Sequence, residues 1–186
     1  TVGEFVQDHT IQKVFAARFR LKLSTLMRWN LVQLRFEFFK GDFTITDFCD
    51  ENNLSTHERL KLFVQVCQAV QHAHQKGIIH RDIKPTNVMV TLHDGVPVPK
   101  VIDFGIAKVS RGPHEDSSVI QGTPVYMAPE QILNKNIDGR ADIYSLGVVL
   151  YQMVTGRVPF EGSTPQILHA HVYDNPLPPS SIAHIS

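Results

Sequence analysis

Charge of one sign is what this chain lacks first. Lys plus Arg number 18 and Asp plus Glu number 18, so the formal net charge is +0 at pH 7. Such a balance withholds the field that draws a general nucleic-acid or membrane-surface binder to its partner. Cysteine is scarce as well. Cys49 and Cys67 stand far apart and form no CxxC pair, so a reduced, cytoplasmic setting with buried or inert thiols is expected. No apolar run reaches the ~20 residues that a membrane-spanning helix requires. The longest candidate, residues 143–154, is broken by Ser145 and Gly147. The first residues also lack the basic-then-apolar layout of a secretory signal.

What remains is ordinary globular material. The 186 residues are 42% hydrophobic and 19% charged, enough for one domain with a core. Residues 1–30 stand apart: Arg18, Arg20, Lys22 and Arg28 punctuate Val14, Phe15, Phe19, Leu21 and Leu26. That loose helical spacing reads as a leader that forms a solvated basic helix. Residues 31–39 alternate apolar and polar at Gln33, Arg35 and Glu37, the period of a strand. A short helix over residues 46–52 is expected, capped by Thr44 or Thr46. Ser55 and Glu58 have capping-box spacing. Leu60, Phe63, Val64, Cys67, Val70 and Ala73 follow in steps of three and four, which predicts one apolar helix face closed by Gly77. Residues 88–92 and 98–102 read as strands joined through His93-Asp94-Gly95. Residues 105–127 read as a long exposed loop, and residues 142–155 as a helix buried on nearly every side. His72 and His74, like His169 and His171, are spaced two apart on helices, point to different faces and read as surface histidines rather than metal ligands.

The segment that carries chemistry is IIHRDIKPTNVMV, residues 78–90. Asp103-Phe104-Gly105 begins sixteen residues after Asn87, GTPVYMAPE ends at Glu130, and DIYSLG begins at Asp142. Carboxylate and carboxamide oxygens at Asp103 and Asn87 suit a hard Mg²⁺ ion. Asp82 lies five residues before Asn87 on one tight loop, where it can take or orient the proton of an attacking hydroxyl. Lys84 can set a positive charge against a transferred phosphate. Gly105 allows a backbone twist that a bulkier residue resists.

In this order and spacing the four segments resemble eukaryotic-like (Hanks-type) bacterial serine/threonine protein kinases, over roughly residues 31–175. The resemblance implies an α+β fold, mostly the helical C-terminal lobe with a small β-hairpin, and residues 31–186 as a domain running from the hinge to the start of the family's helix αG. It implies ATP and Mg²⁺ as cofactors and a protein with a Ser or Thr acceptor as substrate, with no nucleic-acid partner. Asp82 is then the catalytic base, Lys84 the γ-phosphate contact, Asn87 and Asp103 the metal ligands. Thr123 bonds the catalytic Asp and Lys, and with Lys84 argues for Ser/Thr over Tyr. Glu37 and Phe38 offer hinge backbone groups to adenine. Arg81 pairs with a phosphate on the activation loop, for which Ser110, Ser117 and Ser118 are the candidate acceptors. His80 and Phe104 belong to the apolar stack between lobes, Glu130 closes the activation segment, and Asp142 holds the catalytic-loop backbone.

The sequence departs from that family upstream. It has no GxGxxG, and Lys13 and Lys22 stand outside the context of the family's strand lysine. The expectation is therefore a partial domain, with the N-terminal β-lobe largely absent and weak or no activity in isolation. The rival is a non-catalytic, kinase-derived remnant or partner-binding pseudokinase. A small-molecule phosphotransferase ranks lowest, because Thr123 and Ala128-Pro129-Glu130 match the segment that presents a protein substrate.

Overall fold

The computed structural model describes residues 43–104 and 123–183. The expected leader (1–30), the strand over 31–39 and most of the loop over 105–127 lie outside them. The described elements are β1 (Phe43–Thr44), α1 (Ile45–Glu51), α2 (Thr56–Gln75), β2 (Val88–His93), β3 (Val96–Val101), α3 (Pro129–Ile132), α4 (Gly139–Thr155) and α5 (Thr164–Tyr173). One-turn 3-10 segments lie at Pro85–Asn87, Pro124–Tyr126 and Pro179–Ser181. The class is α+β and mainly helical. No helix among the described residues is long and apolar enough to cross a membrane.

Local chemistry accounts for the ends of the elements. Thr44 caps α1, accepting from the Asp47 amide at 3.2 Å. At α2 the Ser55 amide donates to Glu58 Oε2 at 2.8 Å, and the Glu58 amide returns to Ser55 Oγ at 3.4 Å. The other end of α2 closes with Gly77 at φ +73°. There Ile78 N bonds Ala73 O at 3.0 Å and Gly77 N bonds His74 O at 2.9 Å, the crossed pair that satisfies the last carbonyls.

The sheet runs β1-β2-β3, antiparallel throughout. Asp94 and Gly95 have φ of +51° and +79°, the left-handed pair that a two-residue hairpin turn requires. The hairpin reaches Val96, two residues earlier than expected, and β1 adds a third strand through Phe43↔Val90 and Thr44↔Met89. Pro97 and Pro99 fit in β3 because, among the described residues, it is an edge strand.

The core gathers Ile45 and Phe48 of α1, Leu62, Phe63, Val66 and Val70 of α2, Ile83 of the loop after it, Val88 and Val90 of β2, and Leu146, Val149 and Met153 of α4. Each such side chain, fully buried, contributes on the order of 1.5–3 kcal/mol. Two expectations fail here. The buried face of α2 is turned toward Leu62 and Val66, leaving Leu60 and Val64 exposed, because α2 must cover both β3 and α4. And α4 starts at Gly139 behind an Asp138 cap and leaves Ile143 and Gly147 exposed on its outer side.

Arg59 ties three of these elements together. Its Nε donates to Leu54 O at 2.9 Å, Nη2 to Cys49 O at 3.1 Å, and Nη1 to Met153 O at 3.0 Å and Asp50 Oδ1 at 2.7 Å. One planar guanidinium thus satisfies three backbone carbonyls of α1, the α1–α2 turn and α4.

Candidate active site

The floor of the site is a carboxylate with almost no solvent. Asp142, in the first turn of α4, is 1% exposed. Its Oδ1 accepts the Arg81 amide at 2.7 Å, and its Oδ2 accepts the His80 amide at 2.8 Å. His74 Nε2 meets the same Oδ2 at 2.7 Å. Gly139 leaves space for that imidazole: a Cβ there would stand 3.0 Å from two of its ring atoms. The loop so anchored is strained, for Arg81 holds φ +66° without being glycine.

His80, fully buried, organises the next layer. Its Nδ1 accepts the Asp82 amide at 3.3 Å, so the ring proton lies on Nε2, which donates to Ile102 O at 2.9 Å. Ile102 is clasped from the other side as well, its amide donating to Asn87 O at 2.9 Å. The ring of His80 packs against Phe104 with centroids 4.8 Å apart. These bonds bring Asp103 beside the loop that carries Asp82. Asp103 is exposed and takes φ +60°.

Above this floor four side chains converge. Lys84 Nζ lies 2.9 Å from Asp82 Oδ2 and 3.4 Å from Thr123 Oγ1. Asn87 Nδ2 donates to Asp82 O at 2.8 Å and to Asp82 Oδ2 at 3.3 Å. Thr123 meets Lys84 and makes no hydrogen bond to Asp82. Because the amide nitrogen of Asn87 is committed to Asp82, its Oδ1 faces elsewhere, and it is buried with no hydrogen-bond partner. A buried acceptor without a donor is costly unless a cation or water completes it. That oxygen and the Asp103 carboxylate fit Mg²⁺, which takes few protein oxygens and fills its shell from phosphate and water. Among the described residues no cluster of three or more His, Cys, Asp or Glu is placed to hold a metal.

The remaining candidates are spread more widely. Glu130 is half-buried on α3 and forms no ion pair with a described residue. The nearby Arg140 pairs instead with Asp138 at 2.9 Å. Glu37, Phe38, Gly105, Ser110, Ser117 and Ser118 lie outside the described residues. Two participants had no signal in the sequence. His74 reaches Asp142 across 68 positions. Gln131 Nε2 donates to Arg81 O at 2.8 Å across 50. Nor is His171 the surface histidine that its spacing suggested. It is buried against Phe160 and Tyr144, with Tyr144 Oη 2.7 Å from its Nδ1. Burial holds it below the ordinary imidazole range, the Val125 backbone partly offsetting, and burial pushes Tyr144 up to about 12.

Known proteins are similar to this chain. The family described as "Protein kinase domain" matches residues 23–182. Serine/threonine-protein kinase Pkn1 of Myxococcus xanthus is 51% identical over 123 residues, covering 63% of this chain and 18% of that protein. The probable serine/threonine-protein kinase PknB of Corynebacterium glutamicum is 45% identical over 127 residues, 66% of this chain and 19% of its own. PknB of Mycobacterium tuberculosis is 39% identical over 135 residues, 70% and 21% respectively. The chain thus spans about a fifth of the length of these curated relatives. With the family matched across most of its length, this chain belongs to the protein kinase domain family.

Proposed function

We propose that the chain carries the phosphoryl-transfer centre of an ATP-dependent serine/threonine protein kinase. The observation that carries this is the cluster at Asp82. Its carboxylate lies 2.9 Å from the Lys84 ammonium and 3.3 Å from the Asn87 amide, on a loop whose backbone Asp142 anchors. Asp82 orients the acceptor hydroxyl and takes its proton as the oxygen attacks the γ-phosphorus. The bond to the β-phosphate oxygen breaks, and its electron pair leaves with ADP. Lys84 offsets negative charge on the phosphoryl group in flight. Mg²⁺ on Asn87 and Asp103, when bound, supplies further charge neutralisation. The side chains of Lys84 and Thr123 support a Ser or Thr acceptor.

The same reading gives Glu37 and Phe38 the adenine contacts. It makes Arg81 the receiver of a phosphate placed on Ser110, Ser117 or Ser118. Residues 31–186 are then the kinase portion, residues 1–30 a leader, and the setting cytoplasmic.

The test is phosphate transfer from Mg-ATP to a generic protein acceptor by the purified chain, beside Asp82→Asn. Transfer should fall about a hundredfold or more in the variant, the span of a positioned base. Equal transfer by both chains sinks the assignment of Asp82. No transfer, together with no nucleotide-dependent thermal shift, favours the non-catalytic partner-binding reading.

A further inference from the structure

We infer that Gln131 is a positioning residue for the catalytic loop, tying the peptide beside Asp82 to the segment that follows Thr123. This rests on the reading of Asp82 as the base.

The carboxamide of Gln131 is used at both ends. Its Nε2 donates to Arg81 O at 2.8 Å, and its Oε1 accepts the Ala128 amide at 3.1 Å. The first bond falls on a sensitive place. Arg81 holds φ +66°, a conformation that persists in a non-glycine residue only when the surroundings over-determine it. Asp142 holds its N–H at 2.7 Å and Gln131 holds its carbonyl. The two bonds grip the peptide planes on either side of the Arg81 Cα, so φ and ψ are both fixed. The plane gripped by Gln131 also contains the Asp82 amide, which points to His80 Nδ1 at 3.3 Å. Turning that plane would swing the Asp82 side chain away from Lys84 and Asn87.

The other end of the link is rigid. Ala128 is fully buried. The 3-10 turn before it is docked on α4, with Ser145 Oγ donating to Tyr126 O at 2.7 Å and Tyr126 Oη to Gln152 Oε1 at 2.8 Å. The space bordered by Arg81, Thr123 and Gln131 is about 10 Å³, room for no more than about one water. Gln131 therefore acts within the protein, registering the base against the strip of backbone next to the acceptor. The job needs a donor and an acceptor on one terminus of this length. Methionine has the length and neither group. Glutamate keeps the acceptor, and regains a donor only when protonated.

Amide exchange of the ¹⁵N-labelled chain, read at Asp82 and Ala128, tests this without requiring activity. In Gln131→Met both amides should exchange about tenfold faster, the factor of one lost hydrogen bond. In Gln131→Glu near neutral pH only Asp82 should loosen. At about pH 4, where an ordinary glutamate is more than half protonated, Asp82 in that variant should regain the protection that the unsubstituted chain has at the same pH. Gln131→Met should show no such recovery. Val66 and Val70 amides in α2 report global stability, and Gln131→Glu decides alone if the methionine variant does not fold. Asp82 exchange within about twofold of the unsubstituted chain in the variants, or a glutamate variant without acid recovery, overturns the inference. Failure of phosphate transfer would instead strike the kinase reading and leave this readout standing.

Discussion

His74 Nε2 lies 2.7 Å from Asp142 Oδ2, although 68 residues separate them in the chain. The carboxylate it meets is the one that also accepts the amides of His80 and Arg81. The end of α2, the catalytic loop and the start of α4 therefore share one buried anion.

Replacing that anion should be costly. Asp142→Ala leaves two backbone N–H groups and an imidazole without their acceptor, a loss of about 3–5 kcal/mol. His74→Ala removes one donor of three and should cost on the order of 1 kcal/mol. The double variant should be no less stable than Asp142→Ala alone, because the two residues act through the same bonds. Urea unfolding of the four chains measures this, and strict additivity would contradict it.

Arg59 should resist conservative exchange. Lysine carries the charge but cannot span Leu54, Cys49 and Met153 with one planar group. Arg59→Lys should lose about 2–3 kcal/mol in chemical denaturation. A loss near that of an exposed ion pair, below about 1 kcal/mol, would mean that the carbonyl bonds matter little.

His171 predicts an acid-sensitive fold. Burial lowers its pKa from the ordinary 6.5, so between that value and the folded one the unfolded chain binds the extra proton. Stability attributable to His171 is then full above the ordinary range, is lost as pH falls through it, and levels off below the folded pKa. Around it lie the Tyr144 hydroxyl, the Phe160 ring and the Val125 backbone, none of which supplies a compensating negative charge. Thermal melts across the imidazole range should show a slope that His171→Phe lacks. Parallel slopes in the two chains would remove His171 as the source.

Cys49 should be inert in the native chain. Its thiol is fully buried and pushed up to about 11, chiefly by desolvation, with Arg59 opposing and Asp50 adding. Alkylation at neutral pH, followed by mass spectrometry, should reach Cys49 only at the rate of unfolding. Labelling of Cys49 as fast as the half-buried Cys67 would contradict that.

Much of this was legible in the residues, and the illegible part has a common cause. The caps at Thr44 and Ser55, the left-handed Gly77 and the Asp94-Gly95 turn are local signals that a few neighbouring residues determine. The loop bearing Asp82, Lys84 and Asn87 was legible because its chemistry is packed into a short stretch. The rotation of α2 was not, since Leu60 and Leu62 are equally apolar and only the positions of β3 and α4 choose between them. His74, Gln131 and His171 were missed for the same reason. Each is an unremarkable polar residue until the fold brings its partner from another segment.

Asn87 and Asp103 flank the same end of the β2–β3 ladder, one and two residues beyond the Val88↔Val101 pair. The register of that pair sets where the two residues stand, independent of how far the hairpin extends away from them. Of the fifteen residues between them, those near the turn are exposed, so the ladder can grow or shrink at the Asp94-Gly95 tip in steps of two per strand, which keep the inward faces inward. A reporter loop or an affinity handle grafted there would sit at the far end of the hairpin from Asn87 and Asp103.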